Sequence, residues 1–484
     1  MSKALPWFFG LLAGLGCGGQ DSPSQAFSGP GPAPTTPVIL ISVDTLRADR
    51  LTPFGCGRDN SPYLEKLAGE SVLFTDCLAQ SSSTSPSHRS IFTGQFVHRH
   101  GQDYGRFCHS PFVLAGLLHA AGYETVGFAG GGFLAPTLGF NQGFDLYTIR
   151  DDGLRPEEES GHRGLRTILP QVRKWYRERA ARPPSQASHP FFLFLHTYDV
   201  HCPYWPEQPW RARYTAGLRT SLEFINLCGR DDFQKLFEND KELSPEDRKY
   251  LQAMYDGDIA MTDSRLGDWL EELRTDGTLD RSLLIFLSDH GESLGNHRCV
   301  GHTLMWEEQL RVPLLIRFPG GKFAGTRCEE PVMLVDVLPT ILDYLDLPEP
   351  PGIQGRSLLP LLRGETSWKK DGGEEARMRV SEHAGATAVR FDQRWKIVFQ
   401  EDGGGRISRQ ALFDLASDPG EEENRYASPE GKKRFQEIFD RYEAWRAATR
   451  EEDRRFKGKD LGQAIDTDLA TELSSLGYTG FEEE

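Results

Sequence analysis

The chain has 484 residues, enough to bury a large core and, by length, to form two or three domains. Its formal net charge is −16, with 71 acidic side chains against 55 basic ones, which speaks against nonspecific nucleic-acid binding, since that needs basic surface. An acidic protein still takes an anionic substrate where one pocket is locally positive or holds a metal, so charge excludes little else.

Residues 1–17 read as a signal peptide. An apolar run from Leu5 to Gly16 follows Lys3 and is too short to span a membrane. Gly16-Cys17-Gly18-Gly19 is similar to a bacterial lipoprotein cleavage site, so the expectation is an exported protein, periplasmic or anchored to the membrane by lipid. Residues 18–37, rich in Ser, Pro and Gly, read as a flexible linker. Beyond them the division is a catalytic domain over 38–370, a small sheet-plus-helix subdomain over 371–450 and an acidic tail over 451–484. Seven cysteines follow Cys17, at 56, 77, 108, 202, 228, 299 and 328. An odd number without CxxC spacing argues against a disulfide framework or a structural zinc site, while one or two disulfides would be compatible with export. No oligomeric state is legible.

In chain order, Val38 to Val43 is a β-branched run ending at Asp44, as in a strand buried on both faces. Ligands of open α/β sheets gather at such carboxyl ends. Ser61 to Gly69 reads as a helix with Ser61 capping and Pro62 first. Val72 to Thr75 is a strand. In Ser83-Thr84-Ser85-Pro86-Ser87-His88 the serines and Pro86 suit a helix start, with Thr84 at its positive end. Pro111 to Ala121 predicts a helix and Tyr123 to Ala129 the next strand, the rhythm of α/β folds. Residues 150–188 read as a surface helix plus loop. Pro190 to His196 is a buried strand leading to Asp199 and His201, and His201 is placed to touch a substrate oxygen or protonate a leaving group. Tyr204 and Trp205 are expected at the pocket mouth. Residues 207–250 give no clear element, and Tyr255 to Leu273 predicts a packing helix. Leu283 to Ser288 is a strand carrying Asp289-His290-Gly291-Glu292 at its carboxyl end. Asp44, Asp289 and His290, with the Thr84 oxygen as fourth, form a ligand set for one divalent ion. Calcium, manganese or zinc is expected, the imidazole leaning away from the harder ions. His297 fits either this site or a surface loop.

These segments resemble the sulfatase family of the alkaline-phosphatase superfamily. Its signature, Cys or Ser, any residue, Pro-Ser-Arg and then Leu-Thr-Gly, falls on Thr84 to Gly94, with Thr84 at the nucleophile position and His88 at the Arg. Asp44 to Asp49 resembles its Asp-Asp-Leu-Arg-x-Asp with Thr45 as the second residue. His196 to Pro206, Ser288 to His297 and Gly301 to Ile316 follow further motifs, His302 standing where a leaving-group acid is implied. The resemblance implies a large mixed, mostly parallel sheet sandwiched by helices, with a small C-terminal sheet of four strands and a helix, for which Thr387–Arg390, Trp395–Phe399, 411–419 and Gly431–Arg446 are the candidates. It implies Thr84, His302, His201, His88 and His196 as catalytic residues, and a sulfated or phosphorylated small molecule or glycan as partner. Three departures stand out. Threonine cannot yield the aldehyde of formylglycine, position 45 lacks a carboxylate, and Ala129 to Leu134 lacks the expected cation. The implied activity is metal-dependent sulfate ester hydrolysis through a covalent nucleophile. The alternatives are a phosphodiesterase or phosphotransferase using unmodified Thr84, and a non-catalytic glycan binder.

Overall fold

The computed structural model describes residues 35–101, 112–150, 164–183, 189–222, 243–350, 352–366, 377–402 and 406–456. The predicted signal peptide and most of the linker and tail lie outside them. The elements that position the site are β1 (Val38–Val43), α1 (Pro62–Gly69), β2 (Val72–Leu78), α2 (Thr84–Thr93), α3 (Leu114–Ala120), β3 (Glu124–Gly130), β4 (Leu146–Arg150), α4 (Leu165–Ala180), β5 (Phe191–Thr197), α5 (Pro245–Thr275) and β6 (Leu283–Leu287). They continue with β7 (Ser293–Leu294), β8 (Val300–Gly301), β9 (Arg311–Arg317), β10 (Thr326–Cys328), β11 (Val332–Met333), α6 (Val337–Tyr344), β12 (Arg379–His383), β13 (Ala386–Phe391), β14 (Trp395–Glu401), β15 (Ile407–Asp414) and α7 (Pro429–Phe456).

The large sheet runs β10-β2-β9-β6-β1-β5-β3-β4, with β11 also on β2. Only β9 is antiparallel to its neighbours, while β1 pairs in parallel with both β5 and β6. Side chains alternate across a strand, so β1 divides itself between two cores. Val38 and Leu40 join one cluster with α2, α3 and α6. Ile39, Ile41 and Val43 join the other with α4 and α5. Both faces are therefore covered, which is why the strands read as continuous apolar runs.

The small domain is an antiparallel sheet, β12-β13-β14-β15, against which α7 packs Phe435, Ile438 and Tyr442. It is tied to β2 at two backbone points, Ser381 Oγ donating to the Ala79 carbonyl and Glu382 N to that of Gln80.

Several elements exceed the expectation. The polar stretch 150–188 holds α4, whose Leu165, Ile168, Leu169, Val172 and Trp175 recur at helical spacing and are buried against the sheet. This helix is a layer of the core and not surface decoration. Helix α5 starts at Pro245, where the Ser244 hydroxyl accepts from Asp247 N, ten residues before the sequence pattern becomes apolar. Cys202 is disulfide-bonded.

Candidate active site

The carboxyl ends of β1, β5 and β6 and the start of α2 converge on one point. After β1 the chain turns sharply at Thr45, a β-branched residue at φ 55°, a costly conformation that the surroundings hold in place. The Thr45 hydroxyl donates to the Val200 carbonyl at 3.1 Å. The Tyr255 hydroxyl donates to the Thr45 carbonyl at 2.7 Å and accepts from Arg47 N at 2.9 Å. Arg47 closes the turn by pairing with Asp49 at 2.7 Å and donating to the Glu292 carbonyl at 3.0 Å. This bracing aims Asp44 inward.

Thr84 opens α2. Its hydroxyl donates to Asp44 Oδ2 at 3.2 Å and lies 3.3 Å from His290 Nε2. Ser87 Oγ donates to the Asp289 carbonyl at 2.6 Å, locking the helix to the end of β6. All five residues are fully buried. Ligand atoms of Asp44, Asp289 and His290 lie within 4.8 Å of one another. Asp44 Oδ1 and Asp289 Oδ2 are buried with no hydrogen-bond partner among the described residues. Two such carboxylate oxygens side by side are costly unless a cation meets them. The His290 Nδ1–H donates to the Gly291 carbonyl at 3.0 Å, which leaves Nε2 with its lone pair facing the cluster. The group fits a divalent ion. Without one, burial would raise Asp44, but the His196 hydrogen bond and the nearby imidazoles hold it well below the carboxylate range. Burial and the Asp44 charge push Asp289 well above it.

The remaining predicted residues fall in two groups. His88 and His196 sit among buried groups, with ring centroids 4.6 Å apart. The His88 Nδ1–H donates to the Thr84 carbonyl at 2.9 Å and its Nε2 accepts from Ser42 Oγ at 3.1 Å. Burial and the neighbouring His196 hold His88 neutral, well below 6.5. His196 Nε2 lies 3.4 Å from Asp44 Oδ2. His88, His196 and Asp289 form a second three-ligand group sharing Asp289. On the other side, the His302 Nδ1–H donates to the Ser82 carbonyl at 3.0 Å and the His201 Nδ1–H to that of Cys202. Their Nε2 atoms then face each other at 3.3 Å, a spacing one shared proton satisfies. Burial, beside the His290 and His201 rings, pulls His302 well below 6.5, so its Nε2 is the accepting side of that contact.

Some placements differ from the reading of the sequence. Asp199 accepts from Leu165 N at 2.7 Å and from Thr197 Oγ1 at 2.6 Å, so it anchors the start of α4. Tyr204 is buried against Tyr255 and not at a pocket mouth. Of the two places the sequence left open for His297, the structure gives the loop, where the ring stacks on Trp306. Glu292, quoted in the motif but given no role, is fully buried, and burial with the Asp44 charge pushes it up to about 8. His383 comes from the small domain. Burial, with a smaller contribution from His290, pulls it down to about 4.

A family model described as Sulfatase matches residues 36–347. The chain belongs to the sulfatase family. A second model, N-sulphoglucosamine sulphohydrolase, C-terminal, matches residues 295–448 and takes in the small domain. The N-acetylglucosamine-6-O-sulfatase of Bacteroides thetaiotaomicron is 23% identical to this sulfatase-family chain, over 83% of the chain and 84% of that protein. A solved complex with the substrate D-glucosamine-2-N,6-O-disulfate superimposes at a TM-score of 0.68 and 18% identity, over 88% of this chain and 100% of that one. The phosphonate monoester hydrolase of Agrobacterium radiobacter gives 0.64 at 22% identity, over 85% and 96%. The fold is thus that of the alkaline-phosphatase superfamily, and the protein is an ester hydrolase. Sulfatases typically bind a divalent metal, and Asp44, Asp289 and His290 are the candidate ligands here.

Proposed function

We propose that the protein cleaves a sulfate ester of a glycan, with Thr84 as covalent nucleophile. The observation that carries this reading is the Thr84 hydroxyl within 3.3 Å of both Asp44 and His290, at the start of a helix. Thr84 Oγ1 attacks sulfur, its proton passing to Asp44, and the ester S–O bond breaks on the opposite side. The proton held between His201 Nε2 and His302 Nε2 goes to the departing alkoxide. Water then attacks sulfur, giving one proton to the imidazole pair, and Thr84 Oγ1 leaves with the proton held on Asp44, so that hydrogen sulfate departs and both groups return to their starting states. Asp44, Asp289, His290 and Thr84 would hold a divalent ion, which would supply Lewis acidity at the Thr84 hydroxyl and the reacting group. The N-acetylglucosamine-6-O-sulfatase relative supports a sulfated amino sugar as the substrate class, and export is part of the same reading.

A second reading is favoured by one residue. Threonine offers an ordinary alcohol and no aldehyde hydrate, so release of the covalent ester needs attack on the central atom. A phosphodiester or phosphonate monoester meets that requirement as well as a sulfate does. The test compares 4-nitrophenyl sulfate with bis(4-nitrophenyl) phosphate at equal enzyme, alongside metal analysis of the purified protein and the Thr84→Ala variant. Sulfate turnover lost in the variant supports the first reading. A diester rate far above the sulfate rate, also lost in the variant, replaces it with the second. Turnover of neither leaves a non-catalytic binder.

A further inference from the structure

A cavity of about 600 Å³ opens between the two domains, outside the metal-ligand cluster. Its wall includes Arg248 from α5, His297 and Arg298 from the loop joining β7 to β8, Trp306, Phe413 from β15 and Glu421. The chain between His302 and Trp306 spans four residues, at most about 14 Å when extended. The Trp306 wall of the cavity therefore stands no more than that distance along the chain from His302 of the candidate active site.

Two observations mark it as built. The first is backbone strain. Ten non-glycine residues among the described ones have positive φ, and three of them, His297 at 49°, Arg298 at 56° and Glu421 at 56°, line this cavity. Each such residue costs of order 1–3 kcal/mol and persists only where its surroundings impose it. At His297 the imposing contacts are aromatic. Trp306 stacks on the His297 ring at 3.8 Å, and Phe413 packs edge-on against Trp306 at 5.7 Å.

The second is charge. His297 Nδ1 meets Glu308 Oε1 at 3.1 Å and Nε2 meets the Gly420 carbonyl at 2.8 Å. Both partners are acceptors, so both nitrogens donate and the ring is an imidazolium. Its pKa is accordingly raised, the Glu308 contact outweighing burial. Glu421, the buried acid of the wall, is spent on Lys396 at 2.7 Å and on Glu307 N. Arg248, His297 and Arg298 therefore line the cavity, the His297 charge being offset by Glu308, with exposed Glu422 as the remaining acid of the wall.

We propose that this cavity is a second anion subsite, holding a sulfate or carboxylate on a sugar unit other than the one being cleaved. Arg248 and Arg298 supply the charge-assisted hydrogen bonds, and His297, paired with Glu308 and stacked on Trp306, holds the loop that carries Arg298. The proposal rests on the glycan-sulfatase reading and narrows it to oligosaccharides carrying more than one anionic group.

The test is calorimetric binding to the Thr84→Ala protein, so that no turnover intervenes. The probes are a heparin-type tetrasaccharide sulfated on each unit and glucosamine 6-sulfate. Arg248→Ala and Arg298→Ala should each weaken the tetrasaccharide about tenfold and leave the monosaccharide unchanged, as loss of one charge-assisted hydrogen bond predicts. Unchanged tetrasaccharide affinity in both variants overturns the proposal. So does equal weakening of both probes, or failure of the tetrasaccharide to bind at all. Wild-type hydrolysis of glucosamine 6-sulfate is scored separately. Its absence counts against the catalytic reading, whereas the arginine comparison alone decides the subsite.

Discussion

Asp76 on β2 is where the two domains share charge, and its removal gives a stability change with a defined pH signature. Its carboxylate accepts from Arg379 at 2.8 Å and from Arg390 at 2.9 Å, one residue on each of β12 and β13. Burial alone would raise its pKa, but the two guanidiniums lower it from 3.8 to about 2. Burial and Arg390 pull Arg379 down to about 10, so it stays charged at neutral pH. An acid whose folded pKa is depressed stabilises the fold above its unfolded pKa and loses that contribution as pH falls through the folded value. At about 1.4 kcal/mol per pKa unit, the contribution is about 2 kcal/mol, present at pH 7 and lost between about pH 4 and pH 2. Asp76→Asn also strands buried Arg379, so a total loss of about 3–5 kcal/mol is expected at pH 7. Urea unfolding of both proteins at a series of pH values measures this. The gap should narrow by about 2 kcal/mol on going from pH 7 to pH 2.5. An equal gap at both ends would refute the charge argument and leave only a packing change.

Three other outcomes follow from the site. Chelation by EDTA should lower the melting temperature by several degrees, with recovery on adding zinc, manganese or calcium, because an ion at about 100 times its Kd stabilises by about 2.7 kcal/mol; no shift would count against the Asp44–Asp289–His290 assignment. His302→Gln should lower kcat by about 10²–10⁴-fold for an alkyl ester and far less for 4-nitrophenyl esters, whose leaving group needs no proton; equal losses on both would deny it the acid role. If Cys17 is lipidated, Cys17→Ser should abolish incorporation of radiolabelled palmitate in a bacterial host and release the protein from the membrane fraction.

How much of this was readable depended on how local each signal is. Asp44 and Asp289 were legible because each ends an apolar run that can only be a buried strand, and ligands collect at such ends. Tyr255 was not. It sits on a helix whose spacing speaks of packing, and its hydroxyl acts on Thr45, 210 positions away. Asp199 shows the converse. Its company of two histidines resembles a site, yet its carboxylate is consumed by the start of α4 and the Thr197 hydroxyl. The length of α5 was hidden because its first turn, Glu246 to Lys249, is all charged and the apolar positions that follow, Leu251 and Met254, are too few to mark a stripe. His383 could not be read at all, since nothing local reveals that β12 docks on the backbone leading to Thr84.

The three departures from the family motif act together. At position 88 burial holds a histidine neutral where the motif has arginine, which removes a positive charge. At position 45 threonine removes a negative one. The remaining cation expected after β3 is replaced by Gly131, at φ 80°, where a Cβ would collide with the ring of Tyr198. That ring also touches His196 and His201. No lysine or arginine stands at these positions to meet a second negative charge on the reacting group, which leaves that task to the ion and the His201–His302 proton. Such a centre suits a monoanionic ester, whether sulfate or phosphodiester, and is poorly matched to a dianionic phosphate monoester. The expected result is kcat/KM for 4-nitrophenyl phosphate at least about 10²-fold below that for the better of the two monoanionic substrates, roughly one uncompensated charge contact of 2–3 kcal/mol. Adding a cation by Tyr198→Arg should narrow that ratio. A wild-type rate on the phosphate monoester equal to the others would show that the lost cations were never needed.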